Sequence, residues 1–431
     1  MDAAALAAAP PPSRLAPVAE RERIVVLDVL RGIALLGVVV ANVWLWFSGI
    51  SFKFPGYREE LLRFSIDSAV FFAIAVLVSG KAMSTFSFLF GLGFAVQMLR
   101  AASRGRSIVP TYVRRLTVLL LIGAIHMTLL WYGDILFAYA VLGFSLILFR
   151  HRADRTLLTW AAILIIAVPL LLGGIPWMLD VLGIPVPPPK LEEIAKRNAA
   201  TLATFQSGSY GAIVGENLHQ AGKFYAGRKA PWLLYVLGLF VLGLYTGRRQ
   251  VFERVTEHRK TFRRIASWGI PVGIGGSVLM AVLQTVLPPE AMFSEPRLVL
   301  LVMAVFVVST VPLAAGYVSA ATLLLQDETW RRRLGVFAPV GRMALTNYLS
   351  QTVIMLLIYY PYGGGLIGRV GPAVGLGIAL AVFALQIVWS RIWLARFQFG
   401  PMEWLWRSLT YGEFQPMRIN ARSADVAAVE G

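Results

Sequence analysis

The first residue in this chain that invites chemistry is a histidine inside lipid-spanning sequence. His126 sits in IGAIHMTLLWYGDILFAYAVLGF, residues 122–144, with Trp131, Gly133 and Asp134 at what reads as a tight turn between two membrane helices. An ionisable side chain at that depth is costly unless it faces a polar interior. Imidazole is also the side chain that titrates unperturbed near neutral pH, so it is the natural general base. Asp134 lies across the turn, where contact with the ring is geometrically open. Two structural readings stand beside the chemical one: His126 hydrogen-bonds a neighbouring helix, and Asp134 caps the start of the next.

Other polar residues are placed where they could converge on His126. In the first helix, about residues 24–47, Asp28, Arg31 and Asn42 share one face at 100° per residue. Asp28 and Arg31 are also spaced to pair with each other, and Asn42 to hydrogen-bond a neighbouring helix. Arg114 and Arg115 open the helix that carries His126. Arg115 precedes the histidine by eleven residues, about 16 Å of helix on nearly the same stripe. That spacing suits a ligand with an anionic head at one end and a reactive group deeper in the membrane. Topology signalling is the plainer role for both arginines. Lys81 follows a Gly80 break. GRMALTNYLSQ, residues 341–351, puts Arg342, Thr346, Asn347, Ser350 and Gln351 on one helix. That stripe either lines a cavity or ties helices together. A long segment, 175–230, reads as a loop with one short helical pattern and carries Glu216, Asn217 and His219.

The elements that must position these residues are membrane helices. Of 431 residues, 57% are hydrophobic and only 15% charged, against about 25% charge in soluble domains. Repeated apolar runs of roughly 20 residues give an all-α, polytopic membrane helical bundle of about ten transmembrane helices. The formal net charge of +17 does not point to nucleic acid, because the arginines cluster at helix ends. Their alternation places both termini in the cytoplasm and the 175–230 loop outside. Residues 1–22 read as a disordered cytoplasmic tail, 23–396 as the helical domain, and 397–431 as a Trp-rich interfacial tail. With no cysteine, thiolate chemistry and disulfides are excluded, and no pair among the four histidines has metal-ligand spacing. No metal is expected, and no cleavable signal peptide is evident. Gly91 and Gly93, in FSFLFGLGF, read as helix-packing glycines rather than a phosphate loop, since no strand precedes them.

Several stretches together resemble one family: RIVVLDVLRGIALLGVVVANV, FSFLFGLGFAVQ, RRLTVLLLIGAIHMTLLWYGDILFAYAVLGF, GRMALTNYLSQ and FGPMEWLWRSLTYG. They resemble the YeiB-type bacterial inner-membrane proteins of the transmembrane acyltransferase superfamily, over about residues 22–418. The resemblance implies acyl transfer, acetyl in the first instance, from cytoplasmic acyl-CoA to a sugar, envelope glycan or small-molecule acceptor across the membrane. In the related lysosomal heparan acetyltransferase, an asparagine of the first-helix motif is functional, and it falls on Asn42. The histidine that serves with it there has no counterpart, because residues 43–67 contain no histidine; the expected replacement is His126. On this reading Arg31, Arg114 and Arg115 hold the nucleotide end. His126 acts as base or acyl carrier, Asp134 orients it, and Asn42 donates to the oxyanion. Lys81, Trp131, Arg342, Thr346, Asn347, Gln351 and His219 surround the substrate. Membrane lipids are the expected surroundings, with a homodimer open. A transporter or flippase of a small molecule or lipid-linked precursor is the rival class, and a non-catalytic envelope receptor the third.

Overall fold

The structure, a computed structural model, describes residues 24–53, 65–185, 190–226, 230–287 and 295–419. The expected tail at 1–22 and the end of the chain from 420 lie outside the described residues. Among the described residues, seven helices are long and apolar enough to cross a membrane. Helical runs pair their backbone groups within the segment, which lipid demands; the exceptions include the carbonyls facing Pro176, Pro271 and Pro312. α1 is Val25–Asn42; α2, Ile66–Leu77, and α3, Lys81–Ser103, form one span broken at Gly80; α4 is Val109–Ile125. α5 is Leu136–Phe149, and α6 is the span Asp154–Val181. α7, Leu191–Ser207, and α8, Tyr210–Ala226, fill most of the segment that sequence reads as a loop. α9 is Ala230–Arg248, α10 Val255–Val286 and α11 Pro296–Leu324. After the short α12, Glu328–Leu334, and α13, Ala338–Arg342, come α14, Ala344–Tyr359, α15, Pro372–Leu394, and α16, Pro401–Tyr411. The apolar helices α5, α9 and α14 are shorter than the seven spans. With them the described residues hold the ten helices that the apolar runs predict.

Three departures from a plain α-helix stand out, and the first two shape the site. α1 continues into a widened turn at Val43–Phe47, closed by Ser48 N–H donating to the Val43 carbonyl at 2.9 Å. α4 continues likewise into His126–Leu130, closed by Trp131 N–H on the His126 carbonyl at 2.8 Å. α6 carries the third, at Ile163–Ala167. Such five-residue turns are rare and cluster at functional places.

Close crossings are set by glycines. A Cβ on Gly91 would run into the Phe240 backbone, so Gly91 is indeed where α3 and α9 touch. Gly93 differs: a Cβ there would meet the Arg31 guanidinium, at 3.8 Å, and no helix backbone. It faces a cavity rather than a helix. The apolar core joins Leu35, Val39 and Phe47 of the first helix to Trp131, Met355 and Tyr359. A second cluster packs Phe94, Tyr112, Tyr139 and Phe240 together.

Candidate functional site

The histidine and the aspartate meet. His126 Nδ1 and Asp134 Oδ2 are 2.7 Å apart, with side-chain exposures of 1% and 0%. A carboxylate can only accept, so the proton of that bond belongs to Nδ1. Asp134 Oδ1 accepts from Phe137 N–H at 2.7 Å, which caps the start of α5. The capping reading and the orienting reading are therefore both true, one for each oxygen. Nε2 of His126 is buried and has no hydrogen-bond partner among the described residues. With Nδ1 occupied, its lone pair is the one basic position left.

The turn between the two is fixed by stacking. Trp131 is buried and lies 4.7 Å from Phe47, near parallel, with its ring edge-on to His126 at 6.4 Å. Its ring also folds over Gly133, where any Cβ would collide with it. The widened turn would leave carbonyls unpaired, and α8 covers them. Asn217 Nδ2 donates to Leu130 O at 3.1 Å and Thr128 O at 3.4 Å, and Tyr210 OH donates to Leu129 O at 2.8 Å. So α8, within the segment read as a loop, is a helical clamp on the histidine turn. Sequence reading had singled out Asn217 without assigning it this work.

A cavity of about 420 Å³ runs along α1 from Asp28 and Arg31 to Asn42. Arg31 and Asn42 are about 16 Å of helix apart. Arg100, Arg115, Arg342 and Arg407 also line it, against the carboxylates of Asp28 and Glu403. Asp28 is committed to Arg31, Oδ1 to Nη1, at 2.8 Å. Glu403 accepts from Leu345 N–H at 2.6 Å, Thr346 N–H at 3.1 Å and Thr346 Oγ1–H at 2.5 Å, so it caps α14. Burial pushes its carboxyl above the usual value; the hydrogen bonds from Thr346 and Leu345 pull the other way without cancelling this. Both acids are thus spent on local partners, and the excess charge offered to a ligand is positive. Phe86, Phe90 and Leu119 line the apolar stretch, and Asn42, Trp46, Gly133 and Tyr348 line the wall toward the histidine. The Asn42 side chain makes no hydrogen bond among the described residues, which leaves it available to a ligand.

Several expected site residues stand elsewhere. His126 and Asp134 are absent from the cavity wall: the ring lies behind Tyr348, centroids 5.4 Å apart. Arg115 lines the cavity with its guanidinium 3.8 Å above the Trp406 ring. Arg114, one residue and 100° away, is exposed and donates to Thr410 O at 3.3 Å, tying α4 to α16. Lys81 is buried, but its ammonium donates to Ala75 O at 3.1 Å, across the Gly80 break, rather than to the cavity. Of the α14 stripe only Arg342, at its approach, lines the cavity. Thr346 serves Glu403. Asn347 Nδ2 donates to Ser390 Oγ at 3.0 Å, and Gln351 Nε2 to Gln386 Oε1 at 2.8 Å. These are bonds between α14 and α15, so the helix-tying reading holds for that side. Trp131 walls His126 and not the cavity. His219 is exposed, on the opposite face of α8 from buried Asn217. Tyr348, Glu403, Trp406 and Arg407 were not singled out individually as site residues. Glu403, Trp406 and Arg407 lie in the stretch read as an interfacial tail, and Tyr348 had no mark beyond its place in the polar helix.

A buried dyad beside a charged cavity, held by apolar spans, belongs to a polytopic α-helical membrane protein. Residues 246–413 match the family described as "Protein of unknown function (DUF418)". Over 425 residues the chain is 36% identical to the "Uncharacterized protein YxaH" of Bacillus subtilis (strain 168), covering 94% of this chain and 98% of that protein. It is 29% identical over 407 residues to the "Uncharacterized protein YeiB" of Escherichia coli (strain K12), covering 90% and 96%. The chain belongs to this YeiB-type family.

Proposed function

We propose that the protein is a membrane-embedded acyltransferase. It moves an acyl group, acetyl in the first instance, from acyl-CoA to a hydroxyl or amine of a sugar or envelope glycan. The observation that carries this reading is the buried His126–Asp134 pair, with Nε2 unpaired, one side chain away from a cavity that is cationic at its far end. The arginine-lined end suits the phosphates of the donor. The apolar stretch suits a linear arm, and about 16 Å of helix separates the charges from Asn42. The arginine-rich ends lie in the cytoplasm by the positive-inside rule, which places the donor there and the acceptor on the far side of a bacterial inner membrane.

In the reaction His126 Nε2 takes the proton of the acceptor hydroxyl or amine. The acceptor oxygen or nitrogen bonds to the thioester carbonyl carbon, and Asn42 donates to the oxyanion as it forms. The carbon–sulfur bond breaks, and the sulfur leaves with the proton that Nε2 carried, restoring neutral imidazole. Asp134 holds the tautomer and the charge of the imidazolium between the two transfers.

The test is binding and turnover of radiolabelled acetyl-CoA by purified protein in detergent, wild type beside His126→Ala. Saturable binding by both, with CoA release by wild type alone, supports the reading. Label retained on wild-type protein would move His126 from base to acyl carrier. If neither acetyl-CoA nor longer acyl-CoAs bind, the donor assignment fails. The transporter or flippase reading then takes its place, favoured by the closed wall between His126 and the cavity.

A further inference from the structure

In the wall between the cavity and His126, Tyr348 is the ring that touches both sides. Tyr348 lines the cavity and packs its ring 5.4 Å from the imidazole. It is 5% exposed, and His126 behind it is 1% exposed with Nε2 unpartnered. The hydroxyl of Tyr348 accepts one long hydrogen bond, from Ile135 N–H at 3.3 Å. Its own proton meets no acceptor among the described residues. The rest of α14 is anchored differently. Asn347 and Gln351 are tied to Ser390 and Gln386 of α15, and Thr346 is tied to Glu403. The helix is fixed on those sides, while this ring is held by core packing and a single long hydrogen bond.

We propose that the Tyr348 side chain is the gate between the cavity and His126, a positioning residue that swings aside to admit a substrate group to Nε2. This rests on His126 being the reacting base. The opening motion is rotation about the side-chain bonds with no helix displaced, slower for this buried ring than the flips of an exposed one. When the ring moves, its unpaired O–H becomes a donor for the incoming polar group.

The experiment reads access and not turnover. Full-length protein in detergent is treated with diethyl pyrocarbonate, which carbethoxylates an unprotonated, reachable imidazole. Labelling of each histidine is followed by mass spectrometry, with exposed His151 and His219 as internal standards. In wild type, His126 is expected to react at least tenfold more slowly than His219. Tyr348→Ala should speed His126 labelling about tenfold and leave His151 and His219 unchanged, while Tyr348→Phe, which keeps the ring, should stay close to wild type. Tyr348→Leu keeps an apolar filling, and it carries the test if the alanine variant unfolds, which would appear as equal labelling of all the histidines. The proposal is overturned if wild-type His126 already labels like His219, or if neither smaller side chain speeds it. Absence of acetyl-CoA binding would sink the donor assignment and leave this result standing.

Discussion

Asp134 and Glu403 are two buried carboxylates with the same first duty, and they differ in what they do with the second oxygen. Asp134 caps α5 through Oδ1, and Glu403 caps α14 through Oε1. Glu403 then gives Oε2 to Thr346 of the helix it caps, closing a local circuit. Asp134 gives Oδ2 to His126 on the preceding helix. One carboxylate is wholly structural, while the other couples a helix start to a titratable ring. The difference teaches that capping does not argue against chemistry: the cap fixes the aspartate, and a fixed aspartate orients a histidine more sharply than a mobile one.

Removing the second duty of Asp134 while keeping the first is the most telling change. Asparagine caps a helix as well as aspartate does, but its amide no longer holds the imidazole in the right tautomer. Asp134→Asn should therefore lower CoA release about 10³–10⁴-fold, the scale seen when a triad carboxylate is neutralised, with thermal unfolding in detergent nearly unmoved. A large loss of stability with normal turnover would reverse the assignment of the two carboxylates.

The converse change is Glu403→Ala. It strips two backbone donors and a hydroxyl of their acceptor at the start of α14 and should cost about 1–3 kcal/mol of stability. Arg115→Ala should weaken acetyl-CoA binding about 10–100-fold, more at low salt, as loss of one charge-assisted contact predicts. Arg114→Ala, outside the cavity, should change binding less than about threefold, within the range of ordinary surface substitutions.

The pH dependence separates Glu403 further. Its carboxyl holds its proton more tightly when folded than the ordinary value of 4.5 implies. Its contribution is greatest below that ordinary value, is lost as pH rises through the raised one, and is level above it. Glu403→Gln should flatten that part of a stability–pH curve measured by thermal unfolding. His219→Ala, on an exposed helix face, should change neither turnover nor melting measurably.

The parts of this arrangement that sequence made legible are local. Apolar runs report spans because lipid leaves the backbone no other choice. His126 and Asp134 were paired correctly because a short turn brings a helix end and the next helix start together. Gly91 was read correctly because a helix crossing needs a missing side chain. The failures share a cause. Polarity inside a span says that a residue faces protein, but not whether it faces a cavity or another helix. Lys81, Asn347 and Gln351 met backbone or amide partners instead of space. Arg114 and Arg115 look alike in sequence, and 100° of helix separates a tie to α16 from a place in the cavity. Glu403 and Arg407 come to the site from the far end of the chain, a distance that no spacing pattern bridges. Tyr348 lies among the polar residues Thr346, Asn347, Ser350 and Gln351, and nothing in the sequence sets it apart from those that tie helices together.

The widened turn at His126–Leu130 has a consequence for how this chain can change length. A turn that takes five residues where four would do holds one residue more than the helix around it. Deleting Met127 would let the turn close with the usual four residues, so Trp131 would still bond the His126 carbonyl and Asp134 would stay near the ring. The same gap in the regular part of α4, within Val109–Ile125, has no extra residue to absorb it and would rotate one side of the helix against the other by about 100° and draw it back by about 1.5 Å. A one-residue gap is thus absorbed at this place and disruptive a turn earlier, and the register of the two helices here is counted in single residues.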